Sequence, residues 1–190
     1  RDSCGRGDVS IWVGPLTFTT PCVAGVAPYS EDFDGSSWVA GAGGGNANNS
    51  IDPCWSRNPA TGFHWGTRQF ATGSTNTGPS GDHTSGSGNY VYTEASGSAF
   101  GSIAELESPQ IDCSALTNPE LRFWYHVFGG DMGDLDVLVD DGSGFVSVFS
   151  MNGQQQTSSA AAWQEAIVSL SAYAGSTITI RFEGTRGFGF

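Results

Sequence analysis

The sequence predicts an all-β domain, an antiparallel β-sandwich, and three observations predict it. Short alternating segments recur along the chain: residues 90–94, 121–128, 135–139, 145–149, 166–170 and 177–183. Glycine, aspartate and asparagine separate them, the residues that turn a chain between strands. Only 14% of the residues are charged while 28 are glycine, which disfavours long helices.

With 190 residues, 38% hydrophobic and 12% aromatic, the chain holds enough apolar material for one real core. Residues 9–13 alternate as a short strand that Gly14-Pro15 ends, and Pro15, Pro21 and Pro28 make an extended connector. We therefore divide the chain into an N-terminal arm, 1–30, and a sandwich domain, 31–190. Residues 41–50, rich in Gly and Asn, read as a mobile loop, with a glycosylation sequon in form at Asn48-Asn49-Ser50. In the 121–128 segment, Leu121, Phe123, Tyr125 and Val127 share one face; Arg122, Trp124, His126 and Phe128 share the other. Only 158–165 reads as helical, for a turn or two.

Charge excludes several partners. The formal net charge is −12 and the chain has no lysine; all seven cations are arginine. Nucleic acids and anionic membranes attract basic patches, so neither is an expected partner. No apolar run approaches the ~20 residues of a membrane span. The four cysteines, Cys4, Cys22, Cys54 and Cys113, contain no C-x-x-C pair. An even count in a turn-rich chain points to two disulfides and an oxidising compartment. Of the three pairings we expect Cys4–Cys22 with Cys54–Cys113. The chain starts at Arg1 without a leader and reads as part of a longer secreted protein.

The most informative stretch is Gly78-Pro79-Ser80-Gly81-Asp82-His83-Thr84, leading into Tyr90-Val91-Tyr92-Thr93-Glu94-Ala95-Ser96. With Asp32-Phe33-Asp34, Leu121-Arg122-Phe123-Trp124-Tyr125-His126, Met132-Gly133-Asp134-Leu135-Asp136-Val137 and Phe182-Glu183-Gly184, it resembles the MAM domain of meprin, the A5 antigen and receptor phosphatase mu. The likeness covers roughly 31–190. It implies a jelly-roll sandwich, extracellular placement and adhesive or accessory roles. The family closes on a strand Gly-Asp-Ile-Ala-Ile-Asp-Asp, which the region up to Phe190 lacks; Gly7-Asp8-Val9-Ser10-Ile11-Trp12-Val13 resembles it instead. The arm is thus either the closing strand of a preceding copy or the filler of an open edge here. The family's cysteine beside Asp-Phe-Glu is replaced by Glu31, so its disulfide map does not transfer.

The resemblance also suggests a structural calcium or sodium ion at Asp34 and Asp82, with Asp32 next and Asp8 if the arm docks. Calcium takes six to eight oxygens, so loop carbonyls near Gly81 or His83 would supplement them. Against this, Asp residues also cap turns and bind nothing. Asp131, Asp134, Asp136, Asp140 and Asp141 form a second acidic group, in which Asp140-Asp141-Gly142-Ser143-Gly144 reads as a solvated hairpin turn and not a metal site. Trp124, His126 and Trp65 are the candidate ligand-binding residues, because exposed aromatics stack on sugars or anchor protein interfaces. Catalysis is not expected. No H-E-x-x-H or G-x-S-x-G pattern occurs, and strand residues Glu94 and Glu183 suit pairing with Arg122 or Arg181 better than glycoside hydrolysis. Arg6-Gly7-Asp8 is a tripeptide too short to carry weight.

The expected function is a noncatalytic extracellular recognition or adhesion module of a larger secreted protein, binding polysaccharide or an extracellular protein. A dedicated carbohydrate-binding module of a polysaccharide-degrading enzyme is the first alternative, and a structural spacer the second. The absence of lysine and the Gly/Ser-rich loops suggest a secreted bacterial, marine source.

Overall fold

The computed structural model describes residues 22–42 and 49–189; the strand expected at 9–13, Asp8, Cys4 and most of the 41–50 loop lie outside them. The described chain is all-β, as the alternation predicts. Its strands are β1 (Gly25–Val26), β2 (Ser56–Asn58), β3 (Trp65–Gln69), β4 (Asn89–Thr93), β5 (Ile103–Glu107) and β6 (Ile111–Asp112). They continue with β7 (Glu120–Tyr125), β8 (Asp134–Asp140), β9 (Val146–Asn152), β10 (Gln164–Ser169) and β11 (Thr177–Thr185).

One seven-stranded sheet forms the main layer. β11 is its spine, antiparallel to β5 on one side and β8 on the other, with β6 beside its first residues. β2 and β9 lie outside β5 and β8, and β1 runs parallel to β6. Inward positions of β8 and β11 place Val137, Val139, Ile178 and Ile180 in the core with Val168 and Leu170. Phe123 packs edge-on to Phe149 and Phe182, at 5.3 Å in both cases, and so joins β7 to this sheet. A second cluster gathers Trp38, Trp55 and Leu106 under Trp65 and Val91.

The opposite layer is in two pieces, the antiparallel ribbons β10–β7 and β3–β4. Between them, and over the main sheet, lies an open cleft of about 860 Å³ lined by Val91, Thr93, Leu121, Phe123, Leu106 and Ile180 among others.

Two strand boundaries differ from the sequence reading. The expected helical turn at 158–165 is a hydrogen-bonded turn, with Ala161 N–H donating to Ser158 O, that runs directly into β10. β10 buries Ala166 and Val168 against the sheet, a period of two that overrides helix propensity. The strand expected to reach residue 128 stops at Tyr125, because the buried side chain of Gln156 takes over the ladder. Its Oε1 accepts from Val127 N–H at 2.6 Å and its Nε2 donates to Tyr125 O at 3.1 Å.

The disulfide also differs. Cys22 bonds to Cys54, their Cα atoms 5.5 Å apart. Cys113 is a free, buried thiol in the first core cluster, and Cys54 precedes Trp55 of the second, so the expected Cys54–Cys113 bond does not form. Residues 25–29, read from sequence as arm, join the sheet. Ala27 N–H donates to Asp112 O, and Tyr29 packs against both core clusters.

Candidate functional site

The loop of residues 78–88 crosses from one ribbon to the other, and glycine makes its shape possible. A Cβ on Gly81 would lie 2.3 Å from Gly86 O, an impossible contact. Asp82 organises the loop as an Asx turn. Its Oδ2 accepts from Thr84 N–H at 2.8 Å and Ser85 N–H at 2.9 Å; its Oδ1 accepts from Gly88 N–H at 2.7 Å and Ser85 Oγ–H at 3.0 Å. Burial raises the Asp82 pKa, but the donors from Ser85, Gly88 and Thr84 outweigh it and hold the carboxyl below its usual value.

Asp34 reaches the same place from the other end of the sequence. The turn that carries it passes through Phe33 at φ +64°, a left-handed conformation costing about 1–2 kcal/mol in a side chain of this kind. Three contacts hold it there: Phe33 N–H donates to Glu31 Oε1, Asp34 N–H donates to Asp32 Oδ1, and the Phe33 ring packs 5.0 Å from Trp38. Asn89, opening β4, clamps the turn by donating Nδ2–H to Phe33 O and Trp38 O, and its N–H donates to Asp34 Oδ1 at 2.7 Å. Both carboxylates then face Gly88. A Cβ there would lie 2.8 Å from Asp34 Oδ2 and 3.2 Å from Asp82 Cγ.

Asp34 and Asp82 thus converge, 48 positions apart in sequence (82 − 34). Backbone donors already offset their repulsion, and all four lone-pair sites of Asp82 are occupied. Asp34 Oδ2 is open. Asp32 spends its carboxylate on the turn, and Asp8 lies outside the described residues. Among the described residues no trio of Asp, Glu, His or Cys surrounds a common point.

The far side of the loop is aromatic. The His83 ring stacks on Trp124 at 3.8 Å and 16°, and Trp124 is 45% exposed. Trp163 donates Nε1–H to Gly81 O at 3.2 Å and packs 5.7 Å from Tyr90 and 5.6 Å from His126. Gly78 N–H to Phe128 O and Ser80 N–H to Ser159 O complete the attachment. Among the described residues neither buried nitrogen of His126 finds a hydrogen-bond partner at normal geometry. Burial pushes its pKa down, with the nearby Ser158 and Ala161 carbonyls working against that shift. His126 is therefore neutral packing beneath Trp163. Trp65 is half-buried, its indole N–H donating to Ala104 O at 3.0 Å. Of the three aromatic candidates only Trp124 presents a broad face to solvent. His83 and Trp163 escaped the list of ligand residues; the Gly-rich run flanking His83 was the signal for the first, and no local pattern marks the second.

The remaining acidic groups have local tasks. Asp140 Oδ1 accepts from Gly142 and Gly144 N–H, and Asp141 Oδ1 from Ser143 N–H, so these two shape the hairpin turn, while Asp134 and Asp136 lie on β8. Arg181 binds Glu105 at 2.7 Å and Glu107 at 2.6 Å, and lies over the Phe145 ring. Glu183 sits between Glu105 and Asp136 across three strands. Burial first, then Glu105, raises its pKa. This row lies across neighbouring strands of the main sheet, and Arg181 neutralises its neighbour Glu105. Arg122 pairs with Glu120 at 2.7 Å and Glu165 at 3.5 Å beside Trp124.

Comparison with known proteins gives a consistent result. The sequence profile of the MAM domain, meprin/A5/mu, matches residues 46–189. Neuropilin-1a of Danio rerio is 37% identical over 99 residues, half of this chain and 11% of that protein. MAM domain-containing protein 2 of Homo sapiens is 34% identical over 125 residues, 65% of this chain and 17% of that protein. Neuropilin-1 of Gallus gallus is 31% identical over 179 residues, 79% of this chain and 19% of that protein. The chain thus spans less than a fifth of the length of these relatives. A cleaved adhesin domain of Lys-gingipain from Porphyromonas gingivalis shares the fold, with TM-score 0.51 at 16% identity over 74% of this chain and 86% of that one. Among the described residues no helix is long and apolar enough to cross a membrane.

Proposed function

Because this chain belongs to the MAM family, whose members are adhesion-type modules of extracellular and cell-surface proteins, we propose that it is a noncatalytic recognition module of a larger secreted protein. It binds an extracellular protein or a polysaccharide through the face around Trp124. One observation carries this reading. Trp124 is a large aromatic held flat and half-exposed by the His83 stack, on a rigid strand, beside the charged Arg122, Glu120 and Glu165. An immobilised ring loses little entropy on binding, and polar neighbours orient the ligand. The Cys22–Cys54 disulfide supports an oxidising, extracellular setting. The lysine-free composition supports a bacterial source.

The test is a glycan array alongside a screen of extracellular proteins, using the wild-type chain and Trp124→Ala. Binding that Trp124→Ala weakens at least tenfold supports the face. Binding that survives it places recognition elsewhere, and a glycan-only profile favours the dedicated carbohydrate-binding module.

A structural calcium or sodium ion at Asp34 and Asp82 is part of the same proposal. Its support is two carboxylates sharing the space over Gly88, and an open Asp34 Oδ2. Its limit is Asp82, which would have to release Ser85 or Thr84 to serve as a ligand. Ligand linkage requires that chelation lower Tm by several degrees. An EDTA-treated protein that melts at the untreated temperature removes the ion.

A further inference from the structure

We propose that the face around Trp124 takes a basic segment of an extracellular protein, with an arginine or lysine side chain laid against the open part of the indole and paired with Glu165. The inference rests on the recognition reading of this face and narrows it to one partner chemistry. Strand parity sets out the surface. β7 and β10 turn Phe123, Ala166 and Val168 toward the core, so Glu120, Arg122 and Trp124 point outward beside Glu165, Ile167 and Ser169. Glu165 stands directly across the ladder from Trp124, and Ile167 directly across from Arg122. Side chains opposed in this way have Cβ atoms about 4.5–5.5 Å apart, and a diagonal such as Trp124 to Ile167 spans about 7–8 Å. Trp124 is 45% and Ile167 53% exposed, and His83 holds the indole by stacking on it at 3.8 Å. An immobilised aromatic ring, an aliphatic surface and a carboxylate therefore lie within reach of one long side chain.

Hydrogen-bonding capacity selects the partner. Arg122 commits Nε–H to Glu120 at 2.7 Å and reaches Glu165 only at 3.5 Å, the long limit of a hydrogen bond. Glu165 thus keeps most of its acceptor capacity. Guanidinium and ammonium groups are donors only, whereas sugar hydroxyls both donate and accept. The aliphatic stem of an arginine or lysine covers Ile167 while its charged head meets the indole. On the face two glutamates stand against one arginine, and the whole chain carries −12. A second copy of this chain, equally acidic, is repelled, while a basic partner is steered in.

NMR of the amide and indole N–H groups of the full 190-residue chain tests this. The probes are an octapeptide of alternating glycine and arginine, the same peptide with citrulline for arginine, and cellohexaose. Citrulline keeps the shape of arginine and removes its charge. The expected result is that the arginine peptide shifts the Trp124 indole and the backbone of residues 122–124 and 165–167, and that the citrulline peptide does not. Glu165→Gln, an isosteric change at the surface, should weaken the arginine peptide about threefold to tenfold. Arg122→Gln should tighten it, since a competing cation leaves the face; a glycan that used Arg122 as a donor would instead be weakened. Asp141→Asn removes an equal charge from the hairpin turn of the main sheet and should leave the affinity unchanged. Equal Tm values for these variants separate a lost contact from a lost fold. Shifts spread over the acidic surface without Trp124, equal binding of the citrulline peptide, or indifference to Glu165→Gln each overturns the proposal. Movement of the Trp124 indole by cellohexaose alone overturns it while the recognition reading stands. A Trp124 indole that no probe moves overturns it as well, and the array with Trp124→Ala then decides the recognition reading separately.

Discussion

Replacing Gly88 by Ala probes the junction of Asp34 and Asp82 with a single methyl. The new Cβ would lie 2.8 Å from Asp34 Oδ2, 3.0 Å from Oδ1 and 3.2 Å from Asp82 Cγ. Even a weak C–H···O contact wants about 3.3–3.6 Å, so Asp34 must move by roughly half an ångström or more. That motion pulls Oδ1 away from Asn89 N–H, now 2.7 Å distant. A hydrogen bond to a charged group is worth ~1.5–3 kcal/mol, less at an exposed carboxylate such as this one. Gly→Ala in a permitted conformation returns ~0.4–1 kcal/mol through the unfolded chain. The net loss is about 1–2 kcal/mol, and at ~2–4 °C per kcal/mol for a chain of this size Tm falls by roughly 2–8 °C. Calorimetry with and without EDTA is the assay, with Gly35→Ala as control. A Cβ at Gly35 makes only an ordinary 3.5 Å contact with Trp38, so that variant should be neutral. If Gly88→Ala melts with the wild type, the two carboxylates do not meet over this glycine and the reasoning fails.

Other outcomes follow from the same geometry. His126 and His64 are both held neutral by burial, their pKa values pushed below the ordinary 6.5. The folded state then binds fewer protons than the unfolded one. Their contribution is intact above pH ~6.5 and is lost as pH falls from there toward the folded pKa values. Urea midpoints from pH 7 to pH 5 should decline, and His126→Phe should flatten that slope at little cost at pH 7; an unchanged slope would contradict the burial of this ring. Cys54→Ala opens a loop spanning 32 positions and should cost ~3–4 kcal/mol by chain entropy, readable as a lower denaturant midpoint that dithiothreitol reproduces in the wild type. Trp163→Phe deletes the bond to Gly81 O and should cost about 1 kcal/mol, with faster proteolysis confined to residues 78–88. Nicking elsewhere first would show that the loop is held by other contacts.

Local chemistry determined a good deal of this protein before any contact was known. Alternation in 121–125 and 177–183 predicted strands with the observed inner faces, because side chains leave a strand to opposite sides in turn. Gly78 to Thr84 marked a turn, since Asp side chains bond their own backbone N–H groups wherever a chain reverses. β2, β5 and β6 left little trace. β2 and β6 are two or three residues long, too short to show a period, and β5 carries Glu105 and Glu107 on its outer face, which reads as loop until Arg181 is placed beside them.

Tertiary structure decided what depends on distance in space. Cysteine pairing follows Cα separation, and nothing in the spacing of four cysteines reveals that Cys22 meets Cys54 while Cys113 enters the core. Trp124 and His126 share a strand face by parity, yet one is exposed and the other is covered, because Trp163 arrives from nearly forty positions away to roof the imidazole. The stack of His83 on Trp124 and the meeting of two carboxylates over Gly88 are likewise products of loop closure. Composition and period report what each residue does to its neighbours in the chain; which distant surfaces a folded backbone presses together is set by the sum of all packing at once.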